Sequence, residues 1–268
     1  MSFNNDIYNL WHSANQDERG DYIPKFVIEP KDENADILFF TLNASLPTKV
    51  NEYYRRWMQD IGWIWDWKNR SRWRENFKWE KSPLPYRYDH TFVELSAKLH
   101  HGSRGYNGEG HPLYPRFFRR LNEIVARLGI QQQTYPECPE LKLYNYAHVD
   151  LYFWLDSSSR EIRKRIEDTP RFAEAQKTIA FSLLEAWRPR TIICPYSSVR
   201  QDISCFCRTH GVVPNFRPLA NGRVQIAEAN LQWGNVLIII CKNLLGGRGN
   251  GGVNPCDFSA IVRRVRDF

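Results

Sequence analysis

The residues best suited to chemistry stand just beyond, or at the end of, four apolar runs. Asn43 follows Ile37 to Leu42 (ILFFTL) and Asn145 falls in Leu141 to Tyr146 (LKLYNY); Ser197 and Ser198 follow Thr191 to Pro195 (TIICP), and Lys242 follows Asn235 to Cys241 (NVLIIIC). A carboxamide carries a donor and an acceptor side by side, so it can orient a water or read a flat polar edge, but it cannot take up a proton as a base does. A lysine can hold developing negative charge, or attack an electrophilic carbon and form a Schiff base. Each residue also has a plain structural reading: Asn43 as a helix cap, Asn145 as a buried polar group at a strand end, Lys242 as a solvated surface cation.

Tyr144, Tyr146, His148 and Asp150 flank Asn145 and offer a stacking wall or further polar contacts. Side chains alternate along a strand, so not all of them face one pocket. After Lys242 come Asn243, Leu244 and Leu245, then Gly246, Gly247, Arg248, Gly249, Asn250, Gly251 and Gly252. Such glycines let backbone N–H groups approach phosphates, and an exposed leucine can wedge into a base stack; a plain flexible loop is the competing reading.

These groups need elements to hold them. The four runs are short and almost continuously apolar, the pattern of strands buried on both faces in a parallel sheet. Between them lie helical patterns. Pro115 to Leu128 is opened by Pro115 and ended by Gly129, and Phe172 to Trp187 is stopped by Pro189; Ser197 to His210 and Asp257 to Val265 are the others. Strand alternating with helix predicts an α/β fold of three αβα layers around a short, mostly parallel, four-stranded sheet. In such sheets ligands bind beyond the carboxyl ends of the strands, which places Asn43 and Asn145 together at one edge. Residues 1–268 are read as a single domain, with an inserted helical and loop segment from Thr48 to Gly110.

Apolar residues make up 42% of the 268, enough for a sizeable core. No run is long enough to span a membrane, and the amino terminus lacks the zones of a signal peptide, so a cytoplasmic protein is expected. Lys and Arg outnumber Asp and Glu by 37 to 30, a net charge of +7. Within the insertion Arg55, Arg56, Lys68, Arg70, Arg72, Arg74, Lys78 and Lys81 interleave with Trp57, Trp63, Trp65, Trp67, Trp73 and Trp79. Cations for phosphates and flat rings for bases suit a nucleic-acid partner; an amphipathic lid with its tryptophans turned inward explains the same pattern.

Several chemistries lack their residues. The six cysteines are scattered and expected to be reduced, and Cys205, Cys207 and His210 have neither zinc-ribbon nor deaminase spacing, so no metal is expected. Gly247 to Gly252 matches GxGxxG after a strand, but the chain ends too soon for a second strand carrying the ribose-binding acid, and no cofactor is expected. There is no Walker A loop, no GxSxG elbow, and no HxE with PCxxC.

The order and spacing of these elements resemble the uracil-DNA glycosylase superfamily over about two thirds of the chain, more by pattern than by identity. Asp36 to Ser45 resembles the family's first motif, an apolar strand ending in Gly-x-Asn-Pro or Gly-x-Asp-Pro. Leu113 to Gly129 resembles its first core helix, and Leu143-Tyr144-Asn145 its second strand with a base-reading Asn. Thr191 to Ser198 resembles the third strand, and Val236 to Gly247 the fourth, with the loop that normally begins His-Pro-Ser. The departures are specific: Leu42 and Thr41 stand where the family has Gly before the Asn, Ala44 replaces Pro, and Lys242-Asn243-Leu244 occupies the His-Pro-Ser position.

The resemblance implies a DNA glycosylase that hydrolyses the bond between a flipped-out base and its sugar, leaving an abasic site. It assigns water placement to Asn43 and base reading to Asn145, with Tyr144, Tyr146 and His148 around it. Lys242 takes over charge stabilisation from the missing histidine, and Asn243, Leu244, Leu245, Arg248, Ser197 and Ser198 contact DNA. The Trp-rich insertion and the small Ala44 point to a site roomier than uracil requires. Superfamily members acting on bulky modified cytosines in phage DNA are the parallel, implying a modified pyrimidine and an anti-phage role for a monomer. The rival expectations are a hydrolase of free nucleosides or nucleotides and a DNA-binding protein of this fold without catalysis.

Overall fold

The computed structural model describes residues 6–7, 9–10, 13–14, 23–24, 36–45, 121, 123–130, 132–135, 138–144, 146–156, 159–220, 222–244, 253 and 255–268; at 23–24, 43–45, 132–135, 138–144, 147–148, 154–156, 159–161 and 255–256 only the backbone is described. The Trp/Arg-rich insertion, Asn145, Leu245 and Arg248 lie outside the described residues.

The described strands are β1 (Ile23–Pro24), β2 (Ile37–Ser45), β3 (Gln132–Tyr135), β4 (Cys138–Tyr144), β5 (Ala147–Asp156), β6 (Thr191–Cys194), β7 (Arg217–Leu219), β8 (Val224–Leu231) and β9 (Gly234–Cys241). The helices are α1 (Ser159–Asp168), α2 (Pro170–Trp187), α3 (Arg200–Thr209) and α4 (Pro255–Arg266), with helical turns also at 123–127. The fold is α/β, built on one mixed sheet in the order β1-β5-β2-β6-β9-β8-β7. Its centre, β5-β2-β6-β9, is parallel; β8 and β7 extend it antiparallel on one side, and the two-residue β1 caps the other.

Alternation along the central strands feeds two cores. Leu38, Phe40, Ile192, Cys194, Ile238 and Ile240 pack with α1, α2 and α3, while Ile37, Phe39, Ile193, Leu237, Ile239 and Cys241 pack with Leu121, Ile124 and Val125 and with α4. A strand apolar on both sides must be covered on both sides, and that requirement makes the three layers. The helix ending near Leu128 closes as its sequence predicts: Gly129 takes a positive φ of 79°, and the Ile130 N–H reaches the Val125 carbonyl at 3.1 Å.

Two differences from the expected four-stranded sheet have physical causes. The sheet is wider and mixed because β8 alternates exposed Glu228 and Asn230 with buried Ala227, Ala229 and Leu231 and so is suited to the margin; it joins β9 through a two-residue hairpin at Gln232 and Trp233. Leu141 to Tyr146 is not a core strand. Residues up to Tyr144 pair with β3 in a separate antiparallel hairpin, and the parallel neighbour of β2 is the next run, Ala147 to Asp156. The run LKLYNY alternates Leu141 and Leu143 with Lys142, which suits a strand with one wet face. In β5, Val149, Leu151 and Phe153 are all buried.

Candidate functional site

β6 pairs with β2 only from Ile37 to Phe39, whereas β5 follows β2 up to Ser45. The two strands therefore run on together past the end of β6 by about 16 Å at roughly 3.3 Å per residue. This makes a step at the carboxyl edge of the sheet. Its wall is the β2–β5 ribbon and its foot is formed where β6 and β9 leave the sheet.

The foot is tied together by backbone. Tyr196, after β6, bridges to Asn243, after β9; the Leu244 N–H donates to the Pro195 carbonyl at 2.8 Å and the Lys242 N–H to the Arg223 carbonyl at 2.8 Å. The Val253 N–H donates to the Asn243 carbonyl at 2.9 Å, so the glycine-bearing segment leaves and rejoins the edge at one point. Ser197 and Ser198 are exposed on a short 3-10 turn (Ser197–Val199) that lies against β2. Lys242 is exposed, Asn243 is half-buried, and Arg200, also exposed, stacks its guanidinium over Phe216 at 5.1 Å. Burial pushes the Tyr196 phenol up to about 12, so it remains a neutral hydrogen-bonding group at any ordinary pH.

On the wall, Thr41 is in register with Asp150, and Asn43 with Tyr152. The Thr41 hydroxyl donates to the Asp150 carboxylate, and both residues are buried, at 2% and 3% exposure. Alternation places them on the side of Phe39, whose ring meets Tyr146 edge-on with centroids 5.1 Å apart. Tyr152 instead joins the core of the opposite layer, where burial first, and then the nearby Asp202 and Glu174 carboxylates, hold its hydroxyl well above the usual phenol range. Asp202, on the first turn of α3, is itself raised by burial, an effect opposed by Lys177 at 3.7 Å.

The residues expected at the site are thus dispersed. Asn43, described by its backbone, stands on the wall, and Lys242, Asn243, Ser197 and Ser198 gather at the foot. Asn145 lies outside the described residues; β5, the strand that follows it, begins with Ala147 in register with Leu38. Five residues of strand, about 16 Å, separate that level from Asn43. Tyr144 ends the β3–β4 hairpin, His148 is in register with Phe39, and Tyr146 is 3% exposed within the apolar core, so these residues share the amino half of the ribbon. Leu244 is corrected as well. It is 3% exposed, with its side chain in the core beneath α4, because its N–H is drawn to Pro195 as the chain turns inward.

Asp150 is met in the sequence only as a neighbour of Asn145, and Thr41, Tyr152 and Tyr196 are not among the candidate residues. For Asp150 the signal is the alternation in AHVDLYFWLD, where a charged residue amid Val149, Leu151 and Phe153 marks a side of the strand unlike the other. No group of three His, Cys, Asp or Glu side chains suited to a metal occurs among the described residues. No helix among them is long and apolar enough to cross a membrane. Comparison with family models, with curated proteins and with solved structures finds no match to this chain.

Proposed function

We propose that the protein is a DNA glycosylase that releases a flipped-out base, a modified pyrimidine in the first instance, by hydrolysing its bond to the sugar. The observation that carries the reading is the step where β2 and β5 overrun β6 and β9 at the carboxyl edge of a parallel block, the edge where α/β sheets bind ligands. Parallel strands in this arrangement also fit the sheet implied by the resemblance to the uracil-DNA glycosylase superfamily.

Cleavage of the bond builds positive character on the sugar and negative charge on the base, so this edge has to place a water and receive an anion. Asn43 on the wall orients the water, and Lys242 at the foot faces the departing base. Lys242, Arg200 and Arg223 line the same edge as cations for the phosphates, with Ser197 and Ser198 as neutral donors. A net charge of +7 favours the same polyanionic partner.

The test is a mass-spectrometric survey of bases released from uracil-containing, unmodified and hypermodified phage DNA by the purified protein. Release from the modified DNA, with alkali-labile sites left behind, is the expected result. Salt-sensitive DNA binding with no base released from any of them replaces the reading with a non-catalytic binding protein, and activity confined to free nucleosides replaces it with a nucleoside hydrolase.

A further inference from the structure

The glycosylase reading leaves one proton without a destination. A water that attacks the sugar must lose a proton, and the amide of Asn43 cannot accept it. We propose that Asp150 is the general base of the step site, held for that task by Thr41. This role rests on the glycosylase reading.

Three observations lead to Asp150. It sits on the strand next to Asn43, in the register pair immediately before Asn43↔Tyr152 on that side of the pairing. That separation is about 8 Å between backbones, a span that two side chains and one water can bridge. It stands at the level where β6 has ended, so the ribbon at Thr41 and Asp150 has β5 as a strand partner for β2 but no longer β6. Finally, a carboxylate 3% exposed is costly to keep in a fold unless polar partners hold it, and the Thr41 hydroxyl donates to it from the facing strand.

The other carboxylates drawn in near this edge, half-buried Asp202 and buried Asp257, are placed for other work. Asp202 belongs to the opposite layer, where Lys177 and the Tyr152 hydroxyl surround it. Asp257 opens α4 beside Cys241, two strands away from β2.

In the step itself, the water oxygen bonds to the anomeric carbon of the sugar as the carbon–nitrogen bond breaks. The bonding pair leaves with the base, and the water proton passes to the Asp150 carboxylate. Lys242 faces the resulting anion, which takes up a proton from solvent. Thr41 is a positioning residue: its hydroxyl donates to the Asp150 carboxylate and so fixes its orientation.

The experiment measures single-turnover base release from uracil-containing and hypermodified phage DNA by the wild type and by Asp150→Asn, with DNA affinity and thermal unfolding measured alongside. Asp150→Asn is expected to lose at least about 100-fold in release, with affinity within about threefold, and to lose the acid limb of the pH profile. Release within fivefold of wild type overturns the proposal. Should Asp150→Asn not fold, Thr41→Val decides: a roughly tenfold slower release with a displaced acid limb supports the role, and an unchanged rate and limb overturn it. If the wild type releases no base from any substrate, the glycosylase reading itself falls and takes this role with it, an outcome distinct from an active wild type with an equally active Asp150→Asn.

Discussion

The Gln176 side chain of α2 accepts a hydrogen bond from the Phe153 backbone N–H of β5 at 2.8 Å, with Gln176 fully buried. β5 has β2 on one side, but on the other only the two residues of β1, paired with Trp154 and Leu155. The helix therefore supplies an acceptor where the neighbouring strand is too short to do so. Gln176→Leu keeps the volume and strands the N–H, which costs about 1–3 kcal/mol. Urea unfolding should show a lower midpoint with an unchanged slope; an unchanged midpoint would mean that the contact contributes nothing.

Leu244 and its neighbour Leu245 should separate cleanly. Truncating Leu244, which lies in the core beneath α4, should cost about 2–5 kcal/mol of stability and lower base release from duplex and single-stranded DNA alike. On the proposed glycosylase reading the wedge is Leu245, whose alanine variant should lose activity on duplex alone. Measuring unfolding and release for both variants checks this, and a stable Leu244→Ala variant would refute the packing argument.

Lys242 and Arg200, both exposed at the carboxyl edge, should differ in what they affect. Lys242→Gln removes a charge facing the leaving base, so single-turnover release should fall by about 10²–10³-fold with little change in affinity. Arg200→Gln removes a phosphate contact, so the plot of log affinity against log salt should become shallower by about 0.9. Identical effects from the two variants would contradict the separate roles.

Three buried thiols set an alkaline limit on stability. Burial holds Cys194 well above its ordinary value of 9.0 and pushes Cys207 up to about 11 and Cys241 up to about 12. The unfolded chain therefore loses these protons first. With fewer protons bound to the unfolded state, stability is intact below pH 9 and declines as pH rises from about 9 towards about 12. Native labelling with iodoacetamide at pH 8 should modify exposed Cys205 and spare the other three. Rapid labelling of Cys194 would show the core to be open.

Asn43→Ala and Asn145→Ala should no longer behave alike. β5, the strand that follows Asn145, begins at the level of Leu38, well below Asn43. Base release should collapse in Asn43→Ala and persist within a few-fold in Asn145→Ala, as single-turnover rates with DNA binding as the control will show. Equal losses would restore a shared site.

Much of the framework was readable residue by residue. ILFFTL, TIICP and NVLIIIC are apolar on both sides, and each became a central parallel strand; Gly129 and Pro189 marked helix ends that lie within a residue or two of the observed ones. The second parallel strand was misplaced. LKLYNY and AHVDLYFWLD are adjacent, both strand-like, and local pattern does not tell which of two adjacent strands will enter the sheet. β8 escaped notice because Gln225, Glu228 and Asn230, spread over its length, dilute the apolar signal of a margin strand.

What the sequence determined by itself is the class of structure and the list of reactive groups: doubly buried strands require helices on both sides, and a parallel sheet puts Asn43, Ser197 and Lys242 at its carboxyl edge. Which groups meet was decided only by tertiary structure. Register is a relation between strands far apart in the chain, and it alone sets Asp150 opposite Thr41 and Tyr152 opposite Asn43. The fate of Leu244 is of the same kind, since a leucine after a strand is apolar in either place and only the hydrogen bond from its N–H to Pro195 turns it into the core.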